Sequence, residues 1–136
     1  AVARPDVALW TGSWSRYTLW DRAPWSLLAP RAGAVFLPSA SDAEPHTVAM
    51  MHQLWCVDEL RAQLAVPRAE RTAQPTDHCL NYLRQSILCR GDMHLEGWQY
   101  PDIFTNFQRD SVRRCRDWRG VYEWVEANQL EYAGWL

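Results

Sequence analysis

Four histidines and four cysteines hold most of the chemistry open to this chain of 136 residues. His52 stands four residues ahead of Cys56, one turn away on the same face of a helix. His78 directly precedes Cys79, about 100° around a helix. The two cysteines open a short internal repeat at an offset of 23 residues, in which Cys56-Val57-Asp58-Glu59-Leu60-Arg61 aligns with Cys79-Leu80-Asn81-Tyr82-Leu83-Arg84. If Cys56 and Cys79 are bridged, their Cα atoms lie within about 7 Å. Two helices are then clamped side by side, each presenting one histidine to the same cleft. Imidazole is both a metal ligand and a general acid–base near neutral pH, so such a cleft points to metal or proton-transfer chemistry.

The remaining cysteines, Cys89 and Cys115, complete an even, widely spaced set with no C-x-x-C pair. That excludes a zinc ribbon and a thioredoxin-like site. Two disulfides in an oxidising compartment follow, with three connectivities open; four buried thiols are the alternative. The formal net charge of −2 argues against nucleic acid or an anionic membrane surface as partner. Fourteen basic residues are all arginine, which excludes Schiff-base lysine chemistry and a lysine-dependent phosphate loop. Arg109, Arg113, Arg114, Arg116 and Arg119 alternate with Asp110, Asp117 and Glu123 and read as a solvated helix face. No apolar run approaches the roughly 18 residues of a membrane span. The chain opens at Ala1 without Met, so a targeting segment ahead of it is expected to have been removed.

The elements that must position these groups are helical. Thr47 to Ala65 reads as a helix capped by Thr47 and ended by Pro67, with Met50, Leu54, Val57 and Leu64 on its apolar stripe and Met51, Trp55 and Leu60 widening it. A second helix opens after Pro75 with Thr76 or Asp77 as cap and closes at Gly91; its core face is Leu80, Leu83, Ile87 and Leu88. A third, from about Ser111 to Ala127 and capped by Asp110, carries Val112, Cys115, Trp118, Val121, Tyr122 and Val125 on one face. Between them, Gly97 to Phe107 is irregular and aromatic. Ahead of residue 46, five prolines break any long helix, short strand-like pieces fall at Arg16–Trp20 and Ala34–Leu37, and Trp10, Trp14, Tyr17, Trp20 and Trp25 serve as anchors. The expected fold is mainly α: a single domain of about three helices clamped by two disulfides, with residues 1–45 an irregular wrapping segment, 46–127 the helical core and 128–136 a tail.

His52-Gln53-Leu54-Trp55-Cys56 followed by His78-Cys79-Leu80-Asn81-Tyr82-Leu83-Arg84-Gln85 resembles the UstYa-like (ustiloxin-type) oxidase family of fungi, whose hallmark is two His-x-x-His-Cys motifs. Ser86-Ile87-Leu88-Cys89, Gly91-Asp92 and Cys115-Arg116-Asp117-Trp118 match in order, and the resemblance covers roughly Thr47 to Trp124. It implies an enzyme of secondary-metabolite biosynthesis in the secretory pathway, held to the membrane by an N-terminal anchor. It further implies oxidative cyclisation, hydroxylation, dehydrogenation or halogenation of peptide-like substrates at a copper site. Two motif histidines are replaced, by Trp55 and Pro75, and neither residue can ligate a metal.

Copper therefore falls to His52 and His78, with His94 as a third ligand if its loop folds back. His46, six residues ahead of His52, points elsewhere. Asp77 and Asp92 are the carboxylates that would support acid–base work, and Trp55 and Tyr82 the candidates for substrate contact. By the repeat, Cys56–Cys79 is the first bridge, leaving Cys89–Cys115 as the second. Three readings compete. One is a copper-dependent oxidase acting on a peptide or other apolar natural-product intermediate. Another is a metal-free cyclase, dehydratase or isomerase using His52 or His78. The last is a non-catalytic subunit paired with a full-motif family member, in a homo- or hetero-oligomer.

Overall fold

The structure, a computed structural model, describes residues 2–11, 16–38, 43–95 and 111–135. The Trp10 and Trp14 side chains, the 97–107 stretch and the Asp110 cap lie outside the described residues. Four helices dominate: α1 (Arg22–Ser26), α2 (Ala49–Ala65), α3 (Thr76–Arg90) and α4 (Arg119–Glu131). Strand β1 (Asp6–Thr11) pairs antiparallel with β4 (Ser111–Arg116), and β2 (Ala34–Pro38) with β3 (Ala43–Thr47). Among the described residues the N-terminal segment holds strands β1 and β3 and the short helix α1 where coil was expected. Ala34–Leu37 is a strand; Arg16–Trp20 is not. Among the described residues no helix is long and apolar enough to cross a membrane.

The expected third helix is corrected at its front half. Residues 111–116 form a strand, and the helix begins at Arg119. Val112 and Cys115 have helical spacing, but the charges decide otherwise. Asp6 lies opposite Arg116 in the β1–β4 register and diagonal to Arg114. Its carboxylate takes Arg116 at 3.0 Å and Arg114 Nε at 2.9 Å. Opposite charges facing across a strand pair stabilise that pairing. Asp117, one residue ahead of the Trp118 N-cap of α4, accepts the Arg119 N–H at 3.1 Å.

The core gathers Val35, Met51, Val121 and Val125, with Val2, Ala29, Val48, Met50 and Tyr122 packed around it. Side-chain amides dock α4 onto β2. Phe36 faces Pro45 across the β2–β3 pair, at a position whose backbone groups point away from β3 and toward α4. There Asn128 Oδ1 accepts the Phe36 N–H at 2.8 Å and its Nδ2 donates to the Phe36 carbonyl at 2.7 Å. Gln129 Nε2 donates to the Ala34 carbonyl at 2.8 Å. Gly33, at φ +74°, turns the chain into β2 against Met51, and a Cβ there would collide with the Met51 Cβ.

Helices α2 and α3 stand close to their expected bounds, with two changes at their caps. Thr47 belongs to β3 and Val48 is the N-cap of α2; Pro75 is the N-cap of α3. Gly91, left-handed at φ 51°, closes α3 as expected. The α3 core face differs. Cys79 is buried and Tyr82, Leu83 and Ser86 half-buried, whereas Leu80, Ile87 and Leu88 are 54%, 69% and 69% exposed. The buried set is rotated by about one residue because the Cys56–Cys79 bridge turns Cys79 inward. Cys89 and Cys115 are unbridged. The expected second tie is absent, and β4 is held by its antiparallel pairing with β1 and by the Asp6 ion pairs.

Candidate functional site

Helix α2 forms because a 17-residue apolar-rich run lies between Val48 and the break at Val66–Pro67. His52 sits in its first turn, its N–H bonded to the Val48 carbonyl at 3.0 Å. His78 sits in the first turn of α3. Between them runs the Cys56–Cys79 disulfide, with Cα atoms 4.9 Å apart and both cysteines fully buried. One turn from Cys56 and one residue from Cys79, the two imidazoles meet: His52 Nε2 and His78 Nε2 are 3.2 Å apart. At that distance the two nitrogens are within hydrogen-bond reach when one carries the ring proton and the other its lone pair, the tautomer deciding which.

An aromatic stack fixes the rings. Tyr82, one turn beyond His78, lies over His52 with centroids 4.1 Å apart and planes at 24°, and nearly parallel to His78 at 9°. Trp55 leans against His52 at 5.7 Å. Burial, and then the neighbouring His78, hold the His52 imidazolium below its ordinary pKa. At neutral pH His52 is therefore an uncharged base with a lone pair to give.

His52, Cys56 and His78 bring three candidate ligand atoms within 4.8 Å of one another. The Cys56 sulfur is taken by Cys79, which leaves two imidazole nitrogens as donors. With metal–imidazole bonds of about 2.0–2.1 Å, nitrogens 3.2 Å apart have the spacing of neighbouring ligands on one ion.

The other sequence candidates lie outside this cluster. His94 is exposed beyond α3, its N–H bonded to Asp92 Oδ1 at 2.9 Å. Asp92 is paired with Arg113 at 3.5 Å. Asp77 is exposed in the first turn of α3, its carbonyl accepting from Asn81 Nδ2 at 3.0 Å. His46 lies on β3 beside Glu44 at 3.7 Å. The bracing of the imidazoles by Tyr82 escaped the sequence reading, although its position four residues after His78 was the available signal.

A family model described as "Mycotoxin biosynthesis protein UstYa" matches residues 29–128. The chain is 40% identical over 81 residues to UstYa family oxidase phomYd of Diaporthe leptostromiformis, covering 54% of this chain and 27% of that protein. It is 43% identical over 56 residues to oxidase ustYb of Aspergillus flavus, covering 40% of this chain and 21% of the relative. Against oxidase ustYa of the same organism it is 30% identical over 102 residues, 69% of this chain and 48% of the relative. The matched part is therefore between about a fifth and a half of these relatives' length. No solved structure matches.

Proposed function

From the premise that this chain belongs to the UstYa family, we propose that it serves fungal secondary-metabolite biosynthesis as an oxidase-like tailoring enzyme centred on His52 and His78. The observation that carries this reading is the 3.2 Å approach of the two Nε2 atoms on helices tied together by Cys56–Cys79. Imidazole suits copper, and these two nitrogens are the groups that would hold it. Copper bound there supplies one-electron and dioxygen chemistry.

The chain's own residues prepare the place. The disulfide sets the separation of the helices, and Tyr82 holds the imidazole planes. His52 stays unprotonated under conditions that would charge an ordinary histidine. Trp55 supplies an aromatic wall where an apolar or peptide-like intermediate packs. An oxidising secretory lumen is the compartment in which such a bridge persists.

Metal analysis of protein purified without chelator tests the proposal. Stoichiometric copper that disappears in the His52→Ala, His78→Ala double variant is the expected result. The hydrogen bond between the imidazoles favours one other reading, a metal-free acid–base site in which the pair passes a proton to or from a substrate. Imidazole NMR signals unmoved by added copper would overturn the copper site in favour of that chemistry.

A further inference from the structure

Two cavities, of about 910 and 640 Å3, lie along a flank of α2 that the histidines do not share. Met50 and Gln53 line both; Leu54 and Val57 continue the second. These four residues have the i, i+3, i+4, i+7 spacing of one helix face. Trp118 also lines both cavities, so the two meet in one groove. Neither His52 nor His78 lines either part.

The groove combines apolar surface with positive charge. Trp118 is 45% exposed and Leu27 68% exposed on its wall. Arg16 lines one cavity; Arg4, Arg90 and Arg116 line the other. Among the described residues no carboxylate side chain lines the groove, in a chain whose net charge is −2. Arg116 is paired with Asp6, whereas Arg4, Arg16 and Arg90 have no carboxylate partner among the described residues. Each cavity alone has the volume of a small-molecule site, about 300–1,000 Å3; joined, they call for an elongated occupant. Because the cations belong to different cavities with apolar surface between, one acidic head group cannot answer both.

We propose that this groove binds an extended acidic peptide segment. Its apolar side chains lie against Trp118 and Leu27, and its carboxylates meet Arg16 in one cavity and Arg4 and Arg90 in the other. The site goes beyond the histidine chemistry and does not depend on it.

Fluorescence anisotropy with the intact chain tests this, using a labelled ten-residue peptide of alternating Glu and Leu and its Lys-for-Glu counterpart. The Glu peptide is expected to bind and the Lys peptide not, with binding weakened near 1 M salt, where the Debye length is about 3 Å. The Arg16→Glu, Arg90→Glu variant should lose at least about tenfold in affinity, because like charges brought together are strongly unfavourable. Its fold is checked by circular dichroism. The His52→Ala, His78→Ala variant should bind the Glu peptide unchanged, which separates this proposal from the copper reading. Failure of the Glu peptide to bind, equal binding of the Lys peptide, or full binding by the folded charge-reversed variant would overturn it.

Discussion

The α2–α3 pair and the α4–β2 junction hold the molecule together by opposite means. The first joins cysteines 23 residues apart with a covalent bond and leaves the outer side of α3 apolar and exposed. The second joins residues 92 apart with hydrogen bonds from one asparagine, over a core of buried valines and Met51. Local and covalent on one side, distant and cooperative on the other, the two regions divide the work. The histidine geometry rests on a tie that needs little surrounding packing. The fold rests on a junction that needs all of it.

Three perturbations should separate the two. Met51→Ala strikes the core and should cost roughly 2–5 kcal/mol in urea unfolding while the bridge remains intact. An unchanged midpoint would mean the core does not depend on this side chain. Replacing Cys56 and Cys79 together by Ser removes the closed loop and should cost about 3 kcal/mol in the chain-entropy account. Copper binding should weaken more than stability does, and equal affinity in the folded variant would show that helix packing alone sets the imidazole spacing. Asn128→Ala leaves the Phe36 backbone groups unpaired and should cost roughly 1–3 kcal/mol, with the His52 and His78 NMR shifts undisturbed.

The smallest effects are electrostatic. The Arg114 hydrogen bond lowers the Asp6 pKa. Its contribution is full above the unfolded carboxylate value of 3.8 and is lost as pH falls through the lower folded value. Asp6→Asn should flatten the acid limb of stability there. His52 is likewise lowered from 6.5, so stability falls below that pH as the unfolded chain takes up its proton first. His52→Ala should remove that slope, and a persisting slope would assign it elsewhere.

The same division explains what the sequence disclosed. The clamp was legible because it is local. A Cys–aliphatic–Asx repeat 23 residues apart, each copy beside a histidine, encodes the site within one stretch of chain. Strand β4 was not, because Val112 and Cys115 suit a helix until Asp6, far away in sequence, pairs with Arg114 and Arg116. The outward turn of Leu80, Ile87 and Leu88 was hidden for a related reason. Their periodicity marks an apolar face, and the disulfide rather than hydrophobicity chooses which side of α3 is buried. His94 and Asp92 follow α3 in sequence, yet the Asp92 carboxylate is taken by the His94 backbone N–H and by Arg113.

Asn128 has a further consequence, for how the protein behaves in a concentrated solution. An open strand edge is a template on which another chain can add. By occupying both backbone groups of Phe36, with Gln129 on Ala34, α4 acts as a lid on that template. The helix that completes the core also keeps neighbouring molecules from zipping onto β2.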